Sequence, residues 1–186
     1  MKHTHYPLHV AGLVRNLPIC RVNDSLYIGA FVIFGDVELT ECSARELIKI
    51  APEHDVIITA ESKGIPLAYE MARQEGVNRY LIARKAPKLY MKNVFTVSVK
   101  SITTAKEQTL CIDQEDADFM RGRRVLIVDD VISTGESLKA VEALVEQAGG
   151  NIVGRMAVLA EGDAADRKDI LFLEKLPLFD ADGNVK

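Results

Sequence analysis

The stretch Val125-Leu126-Ile127-Val128-Asp129-Asp130-Val131-Ile132-Ser133-Thr134-Gly135-Glu136-Ser137 constrains this chain more than any other. Val125–Val128 is a short apolar run rich in β-branched residues and reads as a buried strand. It ends in two adjacent carboxylates, and a loop of Ser, Thr and Gly then opens into a helix. That helix is predicted from about Glu136 to Ala148, with Leu138, Val141, Leu144, Val145 and Ala148 on one face and Gly149-Gly150 as its stop. The same grammar recurs upstream. Val56–Ala60 reads as a buried strand, followed by Gly64, Pro66 and a helix from about Leu67 to Gln74 that ends at Gly76. Arg79–Ala83 and Ile152–Ala160 are further strand candidates. Strands alternating with helices predict an α/β fold, with a mainly parallel central sheet flanked by helices. In such sheets ligands bind beyond the carboxyl ends of the strands, so the residues after each strand are the ones to read for chemistry.

The other segments are less regular. Asn93–Ser101 alternates and is expected to pair with Gln108–Ile112 as a hairpin. In the first 50 residues, Leu26–Phe34 is broken by Asn23-Asp24 and Gly35-Asp36, which predicts small strands and turns. Ser43–Ile50 reads as one short helix with Ser43 as N-cap and Glu46 three residues on. At 186 residues, a single domain spanning 1–186 is expected.

The segment after Val128 has the chemistry of a phosphosugar site. A helix N-terminus presents unpaired N–H groups and a positive dipole end to an anion. Ser133, Thr134 and Ser137 add hydroxyl donors, and Gly135 lets the backbone approach closely. Asp129 and Asp130 can take sugar hydroxyls, or a magnesium ion through its waters. No GxxxxGK[ST] occurs and no two glycines show GxG spacing, which excludes a P-loop and a Rossmann fingerprint. The net charge of −4 argues against a nucleic-acid binder. Cys20, Cys42 and Cys111 are scattered and odd in number, which argues against a disulfide or zinc framework and fits a reducing cytoplasmic setting. The apolar runs are far shorter than the ~18 residues a membrane span needs, and the first ten residues lack the apolar core of a leader peptide.

The Asp129-Asp130…Ser133–Ser137 arrangement resembles the phosphoribosyl pyrophosphate (PRPP) motif of type I phosphoribosyltransferases. That family transfers a 5-phosphoribosyl group from PRPP to a nitrogenous base, with magnesium and release of pyrophosphate. The resemblance implies that Asp129 and Asp130 bind the ribose hydroxyls and that Ser133, Thr134, Gly135, Glu136 and Ser137 hold the 5′-phosphate. Glu61-Ser62-Lys63-Gly64 looks like the family's pyrophosphate loop, whose backbone amides would face the pyrophosphate. Arg84-Lys85 is similar to the basic pair of adenine and xanthine phosphoribosyltransferases; with Lys88 it would neutralise pyrophosphate. Asp129, Asp130, Lys63 and Arg84 are the implied catalytic set. The core of the likeness covers about 55–160, with about 1–50 contributing a small hood over the base. The stretch Arg167–Phe179 resembles the C-terminal end of adenine enzymes. A purine base is implied, adenine first, in nucleotide salvage, and the family's usual homodimer is expected.

Two departures bear on the acceptor. Adenine enzymes usually carry a Glu in the loop before the PRPP motif, where this chain has Thr104. Thr96–Thr103 instead looks similar to the loop of xanthine enzymes. Xanthine, or guanine and hypoxanthine, is therefore the alternative base, and a non-catalytic PRPP-sensing regulator is the alternative role. His3, His5 and His9 read as solvated, and Arg121–Arg124 as a basic turn.

Overall fold

A computed structural model describes residues 3–100 and 107–186. Its frame is a five-stranded sheet of β4 (Val56–Ala60), β5 (Leu81–Ala83), β8 (Arg124–Ile132), β9 (Asn151–Glu161) and β10 (Leu171–Leu176). Every neighbouring pair is parallel, in the order β10-β9-β8-β4-β5. This is the α/β architecture expected from the alternating pattern.

Strand residues send alternate side chains to opposite faces, and the two faces bury separate clusters. Val56, Ile58, Val125 and Ile127 pack with Leu138, Val141, Leu144 and Val145 of α4 (Glu136–Gln147) and with Met120 of α3 (Gln114–Met120). Ile57, Leu126 and Val128 pack on the other face with Leu39 and Leu47 of α1 (Val37–Ile50) and Leu67 and Met71 of α2 (Ile65–Gln74). Ile58, Leu126 and Leu67 are fully buried; each such side chain contributes about 1.5–3 kcal/mol by leaving water.

Sequential strands run outward from β4 in one direction to β5. The chain then returns to the other side of β4 as β8, and continues outward through β9 and β10. The order therefore reverses between β4 and β8, which opens a crevice beyond their carboxyl ends.

Several expectations are corrected. The first helix begins at Val37 rather than near Ser43. Asp36 caps it, its carboxylate accepting from Leu39 N at 3.0 Å, and Arg15 of β2 (Leu13–Arg21) donates to the same carboxylate at 2.7 and 3.1 Å. Ser43 is a buried helix-interior residue. Strand β8 does not stop at Val128. Pairing of Asp129 with Ala157, Val131 with Leu159 and Ile132 with Ala160 holds it extended through the acid pair. β6 (Phe95–Lys100) and β7 (Glu107–Ile112) form the expected hairpin as a separate two-stranded sheet.

A small antiparallel sheet holds β1 (His5–Val10), β2, β3 (Tyr27–Gly29) and β11 (Leu178–Phe179). Its last strand comes from the carboxyl end of the chain, so this unit is not built from the first 50 residues alone, and α1 packs on the central sheet instead. Among the described residues no helix is long and apolar enough to cross a membrane.

Candidate functional site

Three turns meet at the crevice. The first follows β4. Val56–Ala60 is buried on both faces, so the chain can leave the sheet only beyond Ala60, and it does so as Glu61-Ser62-Lys63-Gly64 with a cis Glu61–Ser62 peptide. Pro66 sits in the first turn of α2, where its missing N–H costs no helical bond. The amides of Ser62, Lys63 and Gly64 have no partner among the described residues. The Glu61 amide is different, because it donates to Ala83 O at 2.9 Å.

Gly64 is required for how closely this turn approaches β8. A Cβ there would lie 2.1 Å from Thr59 Oγ1 and 3.1 Å from Asp129 Oδ1.

The second turn follows β5. Parallel pairing sets Ala60 beside Ala83, so Glu61 comes next to Arg84 and Lys85. The Glu61 carboxylate accepts from Arg84 Nη1 at 3.2 Å and from the Lys85 amide at 3.1 Å, and Lys88 Nζ lies 3.7 Å away. The Lys85 amide, then the Arg84 hydrogen bond and the Lys88 and Arg84 charges, hold this carboxyl below its ordinary range against the opposing effect of burial. Arg84 is also anchored by its backbone, bonded both ways to Cys111 of β7 at 2.8 Å. Its Nη2 donates to Tyr90 Oη at 3.0 Å.

The third turn follows β8. Asp130 is 3% exposed. Lys63 Nζ lies 2.9 Å from its Oδ2, but off the direction of a hydrogen bond, so that buried oxygen has no hydrogen-bond partner. Asp129 Oδ1 accepts from the Asp130 amide at 2.9 Å. Burial, and then the neighbouring Asp130 charge, push the Asp129 carboxyl up from its ordinary value. A buried carboxyl beside a second acid favours its neutral form, and a cation or a hydroxyl donor relieves it. Beyond them Gly135, at φ +78°, begins α4 with no side-chain cap.

The resulting cleft, of about 520 Å³, is lined by Ala60, Glu61, Ser62, Lys63, Lys85, Thr109, Leu110, Asp129, Asp130, Val131 and Ser137. Of the expected residues, the pyrophosphate-type turn, Lys85, the acid pair and Ser137 therefore come together. Arg84 faces a smaller adjoining pocket with Tyr80, Ile82 and Tyr90. Ser133 and Thr134 are exposed on the loop, Gly135 is buried as the N-cap of α4 and Glu136 is half-buried in its first turn; none of the four lines the cleft. Among the described residues the Lys88 ammonium reaches only Glu61. Glu61 is present, but its amide and carboxylate are both committed within the protein.

No residue of the small antiparallel sheet lines the cleft. Thr109 and Leu110 of β7 also line it, although the sequence pattern marks them only as strand residues. The alternation of that hairpin was visible, but not which face it would turn to the cleft. Thr104 lies outside the described residues, as do all of 101–106.

The described residues hold no cluster of three or more metal-ligating side chains. The acid pair, whose buried Asp130 Oδ2 is ion-paired with Lys63 but accepts no hydrogen bond, fits a hard dication that keeps waters and takes further oxygens from a phosphorylated ligand.

Residues 38–183 match the phosphoribosyl transferase domain. An orotate phosphoribosyltransferase of Caldanaerobacter subterraneus subsp. tengcongensis is 31% identical over 77% of this chain, and the match spans 62% of that enzyme, under two thirds of its length. A xanthine phosphoribosyltransferase of Bacillus licheniformis is 30% identical over 73% of this chain and 70% of its own. An adenine phosphoribosyltransferase of Oenococcus oeni is 34% identical over 72% and 74%. Among solved structures, the adenine phosphoribosyltransferase of Rhodothermus marinus superposes with a TM-score of 0.61 at 25% identity, covering 75% of this chain and 79% of that one.

Proposed function

The chain belongs to the phosphoribosyltransferase family, and from that premise we propose that it transfers a 5-phosphoribosyl group from PRPP to a purine base, releasing pyrophosphate, in nucleotide salvage. The observation that carries this reading is the convergence of three turns, remote in sequence, on one cleft: the Ser62–Gly64 turn, whose amides have no partner among the described residues, the cations Lys63 and Lys85, and the acid pair Asp129-Asp130, with Arg84 on a second, smaller pocket.

Each part has a task. Asp129 and Asp130 accept the ribose hydroxyls, which puts neutral donors against two crowded carboxylates. The uncapped start of α4 with Ser133, Thr134 and Ser137 takes the 5′-phosphate. The free amides of the Ser62–Gly64 turn take the pyrophosphate, and Lys63, Arg84 and Lys85 stabilise the negative charge that grows on it as the glycosidic bond breaks. Holding donor and base in one cleft supplies the positioning. Asp129 and Asp130 would hold magnesium, which would supply further charge neutralisation.

Adenine is the preferred base, supported by the overall likeness to adenine enzymes. Xanthine, or guanine and hypoxanthine, is the alternative, because relatives of both kinds match at similar identity. A homodimer and a cytoplasmic location complete the proposal.

The test is a base panel. The protein is incubated with PRPP and magnesium plus adenine, hypoxanthine, guanine, xanthine or orotate, and pyrophosphate and nucleotide are measured. Turnover with one purine is expected. Saturable PRPP binding without turnover on any base would instead mark a PRPP sensor.

A further inference from the structure

We propose that Glu61 is a built-in competitor for pyrophosphate: in the empty protein its carboxylate occupies the cations and the amide that the leaving group needs, and it takes them back when pyrophosphate departs. The inference rests on the phosphoribosyl-transfer reading and concerns one residue within it.

Four observations carry it. Glu61 lines the cleft alongside Lys63 and Lys85. Its carboxylate accepts from Arg84 Nη1 and the Lys85 amide, at 3.2 and 3.1 Å, with Lys88 Nζ at 3.7 Å. Two side-chain cations and a backbone donor of the basic turn are thereby engaged; Lys85 of that turn lines the cleft itself, and Arg84 lines the smaller pocket. The Glu61 backbone is tied to Ala83 O, so the carboxylate cannot leave with the turn; it can only rotate away. The side chain remains about one-fifth exposed, so rotation to solvent is open to it.

An ionised carboxylate a few ångströms from a bound polyanion is repulsive, by about 1 kcal/mol even in water and more in a cleft. Nothing in anion binding alone would favour an acid at this position. The arrangement is accounted for if Glu61 keeps Arg84 and Lys88 from being unpaired between turnovers and limits how tightly pyrophosphate is retained.

The sign of the effect separates this role from a purely structural one. A strut that merely holds the basic turn in place would, when weakened, lose pyrophosphate affinity. A competitor, when neutralised, gains it. Glu61→Gln keeps the size and an acceptor oxygen for the Lys85 amide while removing the charge, and Glu61→Ala removes both. Inorganic pyrophosphate is titrated calorimetrically into parent and variants at fixed magnesium. Ribose 5-phosphate, which addresses the α4 end of the site, is the control.

We expect Kd for pyrophosphate to fall about fivefold or more in Glu61→Gln, with Kd for ribose 5-phosphate unchanged. The gap should narrow as salt is raised. Pyrophosphate affinity unchanged or weakened in both variants, with ribose 5-phosphate still bound, overturns the competitor role and leaves the reaction assignment standing. A parent protein that binds neither pyrophosphate nor PRPP, and forms no nucleotide, removes both.

Discussion

Gly64→Ala tests the closest approach in the site. The residue sits at φ −71°, ψ −12°, a right-handed conformation that alanine adopts freely. On backbone grounds alone the change should stabilise by about 0.4–1 kcal/mol. The packing says otherwise. The new Cβ would stand 2.1 Å from Thr59 Oγ1, 3.1 Å from Asp129 Oδ1 and 3.3 Å from Asp129 Cα. Thr59 of β4 is fully buried, so its hydroxyl cannot swing into solvent, and relief requires the turn to move away from that side chain by about an ångström, from the 2.1 Å approach to an ordinary contact. Such overpacking costs about 1–3 kcal/mol, which outweighs the backbone gain. The net loss of about 1–2 kcal/mol corresponds to a Tm lower by about 2–8 °C in a chain of this size. Because the displaced elements carry the free amides and Asp129, kcat/KM for PRPP should fall by about 10²-fold, the usual effect of misplacing a site by an ångström. Adding Thr59→Ala removes the shortest contact and little else, since that hydroxyl makes only a 3.5 Å contact to Ala60 O. The double variant should recover most of the Tm but only part of the turnover, because the Cβ still faces Asp129. Differential scanning calorimetry and steady-state pyrophosphate release measure both. A Gly64→Ala protein with unchanged Tm and kcat/KM would refute the close approach. Strictly additive effects of the two substitutions would refute Thr59 as the obstacle.

Asp129→Asn with Asp130→Asn should abolish PRPP-dependent turnover while the fold survives. Because burial and the Asp130 charge raise the Asp129 pKa, ionisation of Asp129 opposes folding above the ordinary carboxylate range and not below it. The double variant should therefore be the more heat-stable protein at pH 8 but not near pH 4, and equal melting at both would contradict the assigned crowding. Asp36→Asn retains a cap for Leu39 N but loses the charge paired with Arg15, and should cost about 1–2 kcal/mol at pH 7 by urea denaturation. The Arg15 hydrogen bonds lower the Asp36 pKa, so that stability is present above the unfolded value and lost as pH falls through the folded one. The gap between parent and variant should accordingly close in acid. Lys63→Ala should raise KM for PRPP more than tenfold, since it removes the ammonium beside Asp130; an unchanged KM would exclude Lys63 from donor binding.

Much of the site was legible because its main motif is continuous in the chain. Residues 125–137 carry strand, acids, hydroxyl loop and helix start in one run, so local pattern alone locates them. β4 and the helices after Gly64 and Gly135 were legible for the same reason, with apolar periodicity bounded by Gly and Pro. What the glycines, acids and hydroxyls at these positions do depends on no distant partner for its chemistry, only for its placement.

The rest depended on partners far away in sequence. Whether β8 stops at Val128 or runs on through Asp129 is decided by β9, whose Ala157, Leu159 and Ala160 supply the pairing. The start of α1 is decided by Asp36, which Arg15 of a different strand holds in place, and Ser43 had the same local credentials without that partner. The antiparallel sheet recruits β11 from the carboxyl end. Glu61 reads in isolation as part of an anion-binding turn. Only the in-register pairing of β4 with β5 brings its carboxylate onto Arg84 and Lys85. The sequence by itself determined the chemistry of each turn, because hydrogen-bonding capacity and backbone freedom belong to residues. Tertiary structure decided which turns share a cleft and which groups are already spent, because strand order and register are set by the packing of the whole sheet.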